Sequence, residues 1–449
     1  MAPTTFIILG LGSRGLDTYA SYQKTHPDEM KIVAAADIRA ERRLKTGKEY
    51  GIPSEMLFDD GDKLLEEDRL ADAAIIAVQD QDHVRMALKA LEKGYHILLE
   101  KPISPRKDEI LELEAAALNT DRKIAICHVL RYTPFYRAIK NALDEGKIGR
   151  LMAIDAIEHV GYWHQAHSFI RGNWRTEKTT SPMLMQKSCH DMDILRWLAG
   201  SPAKSVKSFG SLDYFRKENA PAGSTEYCLQ GCKAKDSCPF DCEKIYITDK
   251  RTGFRSHPEG CWPCDVVVTD PTEEKLRKAL KDGPYGRCVF RCDNTVVDHQ
   301  TVTILFENGV TANFLMTGFT KDCRRSISLF GTEGEINAYM DRREIILERF
   351  DSDEKVVIPV PETTSGHGGG DECIMHDFIE AINTGASIST SLEESIDSHL
   401  MVFEAEEDRL SHLDSQSKDG KSNAWDPDDR IVLEWPGRAQ GMCDEQVYW

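Results

Sequence analysis

Residues 5–15, TFIILGLGSRG, run from an apolar stretch into Gly10-x-Gly12-x-x-Gly15, and a helical pattern follows at once. A glycine triplet by itself also occurs in ordinary loops. Between a strand and a helix it has a specific physical use, because glycines let backbone amides approach a pyrophosphate at the helix N-terminus. A second β-like run, KIVAAADIRAERR, reaches Asp37, where a carboxylate can accept hydrogen bonds from ribose hydroxyls. Asp37 lies further from Gly10 than the usual ~20 residues, and the long connection through THPDEMK accounts for the excess. The plain alternative is the same βαβ unit with no cofactor.

The alternation then continues. ADAAIIAV, YHILLE and KIAICHV read as strands, and QDHVRMALKALEKG and PRKDEILELEAAALN read as helices. Continuous apolar strands separated by amphipathic helices predict an α/β unit, a doubly wound parallel sheet covered on both faces. Ligands of such sheets bind outside the carboxyl ends of the strands. At one of these ends HILLEKPIS places Glu100, Lys101 and Pro102. A buried ammonium is costly unless it is paired or put to use, so Lys101 is expected at the mouth of the crevice.

From Arg150 the pattern changes. LMAIDAIEHVGYW reads as a strand, SCHDMDILRWLAG as a helix, and TVTILFENGVTANFLMTGF as a hairpin turning at ENG. RSISLFG, GEINAY and REIILERF add alternating strands, which together predict an α+β layer. The expected division is 1–128 for the cofactor domain and 129–424 for a substrate and oligomerisation domain. A cysteine-rich insertion is expected at about 213–295 and a tail at 425–449. His190 is the candidate acid/base, since a group titrating near neutrality best removes the proton of a reacting hydroxyl; the alternative is a histidine that braces its helix. Asp193, one turn along, reads as structural. YWHQAHSFIRGNW reads as a loop whose aromatic faces and fixed donors suit a sugar ring, or as a packed loop with solvated tips. His164 and His167 within it lack a nearby acidic or thiolate partner for a metal. The glycine-rich SGHGGGDE around His367 either closes over the site or connects two elements.

Composition narrows the function. A chain of 449 residues with 41% hydrophobic and 29% charged residues fits a soluble globular protein of two or three domains. A net charge of −19 argues against nucleic-acid and anionic-membrane partners. No apolar run approaches the ~18 residues of a membrane span, and the N-terminus lacks the basic region of a signal peptide, so a cytoplasmic location is expected. Eight of the thirteen cysteines fall between Cys228 and Cys292. Cys228-x3-Cys232-x5-Cys238-x3-Cys242 is compact enough for a structural zinc ion; free or paired thiols and an iron–sulfur cluster stay open.

The segments GLGSRG, ADI, EKPIS and HDMDILRWLAG, in that order over roughly the first 200 residues, resemble the glucose–fructose oxidoreductase / inositol dehydrogenase (Gfo/Idh/MocA) family. HDFIEAINTG and SLEESIDSHLMVFEAE are also similar to it. The resemblance implies a Rossmann domain followed by an α/β domain with a large, open, mostly antiparallel sheet that often forms a homo-oligomer interface. It implies NAD(H) or NADP(H), a sugar or polyol substrate, and a lysine of the EKP element at the active site. On this reading Lys101 and His190 are catalytic. The cofactor contacts are Gly10, Gly12, Ser13, Arg14, Gly15, Asp37, Ile38, Gln79, His83, Glu100 and Lys101; the substrate contacts are Tyr162, His164, His167, Trp174 and Gln186. Many relatives carry aspartate four residues before the histidine, where this chain has Gln186. NAD is preferred because Asp37 would repel a 2′-phosphate, while Arg39 leaves NADP open. The implied activity is hydride transfer at a secondary hydroxyl of a sugar, polyol or glycoside. The alternatives are an NAD-dependent glycosidase working by transient oxidation and elimination, and a non-catalytic cofactor-sensing protein.

Overall fold

Six short strands, β1 (Thr4–Leu9), β2 (Met30–Ala36), β3 (Leu57–Phe58), β4 (Ala73–Ile76), β5 (His96–Leu99) and β6 (Ile124–Ile126), pair in parallel in the order β3-β2-β1-β4-β5-β6. The computed structural model that shows them describes residues 2–260, 262–268, 270–363 and 366–416; the expected tail at 425–449 lies outside the described residues. Phe6 to Leu9 and Ile97 to Leu99 are fully buried, as strands covered on both faces must be. The strand order reverses between β1 and β4, and such a switch point opens a crevice beyond the carboxyl ends of those strands.

The second sheet has eight strands: β7 (Leu151–His159), β8 (Ala203–Ser211), β9 (His299–Phe306), β10 (Thr311–Thr317), β11 (Arg324–Gly331), β12 (Gly334–Tyr339), β13 (Glu344–Arg349) and β14 (Lys355–Val357). Their order is β14-β13-β12-β11-β7-β10-β9-β8, and every pair is antiparallel except β7 with β10. One face is closed. Val302, Ile304 and Phe306 are buried together with Leu184, Cys189 and Leu195 of the helix Met183–Ala199 and Met401 and Val402 of the helix Leu392–Gln416. Alternate residues Thr301, Thr303 and Leu305 face outward, the period-two pattern of a half-covered sheet. The expected hairpin at ENG is formed by β9 and β10.

Two features differ from the sequence reading. The segment expected as a loop, YWHQAHSFIRGNW, is helical over Tyr162–His164 and Gln165–Arg171, and Gln165 to Arg171 are all buried. Its polar composition hides this, because the helix is covered on both sides and so shows no apolar stripe. The second feature is the return of the chain to the first sheet. Ile374, Phe378 and Ile379 of the helix Gly370–Thr384 join the core of Phe6 and Ile8, and Leu392 and Ile396 join that of Ile7 and Ile97.

Candidate active site

The glycine loop is built so that two side chains cannot exist. Gly10 has φ +92°, and a Cβ there would lie 2.2 Å from the Ala77 carbonyl oxygen; a Cβ on Gly15 would lie 1.9 Å from the Gly10 carbonyl oxygen. The loop packs directly on its neighbours, and the Gly10 amide donates to the Ala36 carbonyl (2.9 Å). The Asp37 carboxylate accepts from the Leu11 amide (2.7 Å) and the Arg39 amide (2.8 Å) at the end of β2. Ile38 beside it is 77% exposed, and Gln79 is also exposed. This cradle fits a dinucleotide: close backbone approach, an acidic group after the second strand, and a helix starting at Ser13.

Below the loop lies a buried charge network. Arg14 Nε donates to Glu100 Oε1 (2.6 Å), and its Nη2 donates to Asp371 Oδ1 (2.8 Å) and to the Tyr19 hydroxyl (2.6 Å). Tyr19 in turn donates to Glu100 (2.6 Å), and Glu100 Oε2 accepts the Lys101 amide (2.8 Å). Burial pushes the Glu100 carboxyl up, but Arg14 and Lys101 outweigh it and hold the group below its ordinary value. Arg14 and Glu100, expected as cofactor contacts, thus tie β5 and the helix Gly370–Thr384 to the glycine loop. His83 lies within hydrogen-bond distance of the Pro102 carbonyl (2.7 Å) and the Val78 carbonyl (3.1 Å), joining the segments that follow β4 and β5.

A cleft of ≈ 730 Å³, its open mouth included, spans the two domains at this point. From the first domain it is lined by Arg14, Asp80, His83, Glu100, Lys101 and Pro102. The second domain lines it with His164, Ser168, Phe169, Trp174, Gln186, Lys187, His190 and His367. Lys101 and His190, predicted from sequence as the reacting pair, therefore share one cavity. Lys101 Nζ donates to the Gln186 carbonyl (3.1 Å). His190 is 2% exposed, and neither ring nitrogen has a hydrogen-bond partner among the described residues. Burial first, then the positive charge of Lys101, pushes its pKa well below the ordinary histidine value. The expectation of a group titrating near neutrality changes accordingly: burial and Lys101 disfavour the protonated imidazole.

The other predicted substrate contacts divide. His164, Trp174 and Gln186 line the cleft. His167 does not; its Nδ1 lies 2.9 Å from the Tyr246 hydroxyl and its ring stacks on Tyr285 at 4.7 Å. Tyr162 packs edge-on to Phe240, also away from the cavity. Asp193 makes a bidentate pair with Arg131 (2.7 Å to both oxygens), the structural role expected for it. Lys187 Nζ sits 3.2 Å from Glu158, beside the Arg325–Asp191 pair. Asp80, Ser168 and Phe169 were not singled out by sequence. Asp80 follows β4 as Lys101 follows β5, so strand-end position was the available signal; Ser168 and Phe169 sit on a helix that the sequence disguises.

The cysteines do not form the expected four-thiol site as they stand. Among the described residues no three His, Cys, Asp or Glu side chains are arranged to hold an ion. Cys228, Cys232 and Cys238 line one small cavity with Cys288, whereas Cys242 is hydrogen-bonded to Cys228, a contact that lowers the Cys228 pKa and raises that of Cys242. Cys264 donates to the carbonyls of Tyr246 and Thr252 (3.2 Å each); Cys261 lies outside the described residues. Among the described residues no helix is long and apolar enough to cross a membrane.

Comparison with known proteins agrees with this geometry. Residues 4–128 match the family model for the NAD-binding Rossmann fold of an oxidoreductase family, and residues 140–405 match the model for the C-terminal alpha/beta domain of the same family. YteT of Bacillus subtilis (strain 168), described as an oxidoreductase, is 23% identical over 68% of this chain and 72% of its own length. Inositol 2-dehydrogenase of Salmonella typhimurium is 25% identical over 45% of this chain, which spans 56% of that protein. Among solved structures, levoglucosan dehydrogenase in complex with NADH and L-sorbose superposes with a TM-score of 0.66 at 18% identity, covering 92% of this chain and 98% of that one. An oxidoreductase from Agrobacterium radiobacter in complex with NAD+, L-tartaric acid and magnesium gives 0.64 at 14% identity, covering 92% and 97%. At such identities the superpositions establish the fold.

Proposed function

Since the chain belongs to the Gfo/Idh/MocA oxidoreductase family, we propose that it is an NAD-dependent dehydrogenase that oxidises a secondary hydroxyl of a sugar or polyol. One observation carries the reading: Lys101 and His190, whose ring nitrogens have no hydrogen-bond partner among the described residues, line the same cleft, directly beyond the glycine cradle. Bound NAD supplies the hydride acceptor. The protein's own groups handle the proton. The unprotonated ring nitrogen of His190 takes the hydroxyl proton, and the Lys101 ammonium donates a hydrogen bond to the same oxygen as negative charge develops on it. Trp174 and Phe169 offer apolar faces, and Gln186, Ser168 and Lys187 offer polar edges, for a neutral polyhydroxylated ring. Asp37, already fixed by two amides, supports NAD over NADP by repelling a 2′-phosphate. The outer face of the second sheet, with Leu305 and Phe330 among small polar residues, is the surface we assign to homo-oligomer contact.

The test is a panel of inositols, aldoses and aldonates assayed for net NADH formation. Turnover of a glycoside with no net NADH identifies the redox-assisted glycosidase instead, and cofactor binding without turnover of any of the panel identifies a sensor. In Asp37→Ala, NAD affinity should fall about three- to tenfold, on the scale of one ordinary net hydrogen bond, while the preference over NADP narrows; equal affinities before and after would remove Asp37 from the cofactor site.

A further inference from the structure

The insertion between β8 and β9 encloses a buried cation from the helix Gln165–Arg171 that makes no salt bridge among the described residues. Arg171 is 1% exposed, and its Nε and Nη2 donate to the carbonyls of Arg287 and Phe240 (2.7 Å each). Nη2 also reaches the Cys228 sulfur (3.6 Å), and Nη1 has no hydrogen-bond partner among the described residues. Every other buried arginine among the described residues, Arg14, Arg131, Arg325 and Arg409, meets at least one carboxylate within 3 Å. Among the described residues no carboxylate comes within salt-bridge distance of Arg171. A buried charge left in this state is strongly unfavourable, so the fold calls for an anion at this place. Arg171 lines a cavity together with Asp241, whose Oδ2 is buried with no hydrogen-bond partner among the described residues, and with Cys228, Cys232, Cys238 and Cys288, whose thiols can become thiolates.

We propose that these four cysteines bind one zinc ion as a closed, structural tetrathiolate site, with Arg171 balancing part of its charge. Loading releases four thiol protons to solvent and forms four zinc–sulfur bonds, with no change of oxidation state; the complex carries a net charge of −2. Cys228 and Cys288 are buried in the cavity wall, whereas Cys232 and Cys238 are only half-buried and must turn their thiols inward. The site draws together two stretches far apart in sequence. Cys288 is adjacent in space to Cys228 because their segments pair, the Cys288 amide donating to the Glu226 carbonyl and the Cys228 amide to the Gly286 carbonyl (2.9 Å each). The ion would also act on the cleft at a distance. The insertion packs on Trp163, Ala166 and Ile170, while His164, Ser168 and Phe169 of the same helical segment line the cleft.

Elemental analysis of full-length protein purified without added metal decides the matter. The expected result is about one zinc per chain, lost in Cys232→Ser and Cys238→Ser and kept in Cys189→Ser, whose thiol lies in another core. Because a serine variant can fail to fold, wild-type protein is also exchanged with Co²⁺, where thiolate-to-cobalt charge-transfer bands and intense tetrahedral d–d bands are expected. Zinc below about a tenth of an equivalent in wild type overturns the proposal. So does a mass two protons light from a Cys228–Cys242 disulfide, and so does iron with acid-labile sulfide.

Discussion

The two walls of the cleft follow opposite electrostatic plans. On the first-domain wall, Arg14 faces two carboxylates and a phenol, and Glu100 faces Arg14, Tyr19 and the Lys101 amide. On the opposite wall, both nitrogens of His190 and the Gln186 side-chain oxygen are buried without a hydrogen-bond partner among the described residues, while Lys187 is ion-paired with Glu158 (3.2 Å). Burying a polar group without a partner is costly, so a fold retains such groups where something else will satisfy them. The paired wall is a frame that holds Lys101 at the end of β5. Under the proposed function, His190 and Gln186 on the unpaired wall are the groups that would meet the substrate's hydroxyls.

Three measurements test this contrast, taken from the largest expected effect downward. Arg14→Met leaves Glu100 and Asp371 buried without their cation and should cost about 3–5 kcal/mol of folding stability, as removal of one partner of a buried pair does. Urea denaturation checks it; a loss below about 1 kcal/mol, the level of an exposed pair, would mean that the frame is not what the geometry says. Lys101→Met is expected to do the reverse. Turnover should fall by ~10²-fold or more, about 2.7 kcal/mol of transition-state stabilisation, with NAD affinity and stability nearly unchanged. Near-normal turnover would make Lys101 part of the frame as well.

The third measurement concerns the buried histidines behind the open wall. Burial, then the nearby Arg171 charge, lowers the His167 pKa to about 3. The unfolded chain binds a proton there below about pH 6.5 and the folded chain does not, so stability falls as pH drops through this window. His167 should contribute ~1.4 kcal/mol per pH unit to that slope. Glu177, pushed up to about 7 by burial, acts in the opposite direction but is common to wild type and variant. Between pH 6 and 5, above the range of ordinary carboxylates, the stability of His167→Gln should therefore fall less steeply than that of wild type by about that amount. Equal slopes would mean that His167 is protonated in the folded state or open to water.

Much of this was legible in the chain itself. A strand running into Gly10-x-Gly12-x-x-Gly15 predicts a tight βα turn because only glycine tolerates carbonyl oxygens about 2 Å from a Cβ position, and the structure has that turn. Asp37, Lys101 and His190 were legible for a similar reason: each stands at the end of a strand or on a clear helix, where local pattern and the candidate site coincide. The segment 162–171 was misread. Its helix is buried on both faces, and a sequence shows an amphipathic period only when one face meets water.

Local order along the chain, then, determined the parallel sheet, the cradle and the identity of the candidate reacting pair, since strand and helix periods and glycine sterics act over a few residues. Only the tertiary structure decided which charges are answered. That Glu100 and Asp371 meet Arg14, that His190 has no partner, that His167 stacks on Tyr285 instead of facing the cleft, and that Arg171 meets sulfur instead of carboxylate all follow from contacts between segments far apart in sequence. Electrostatic energies depend on distance and burial in space, and neither quantity is written in the order of the residues.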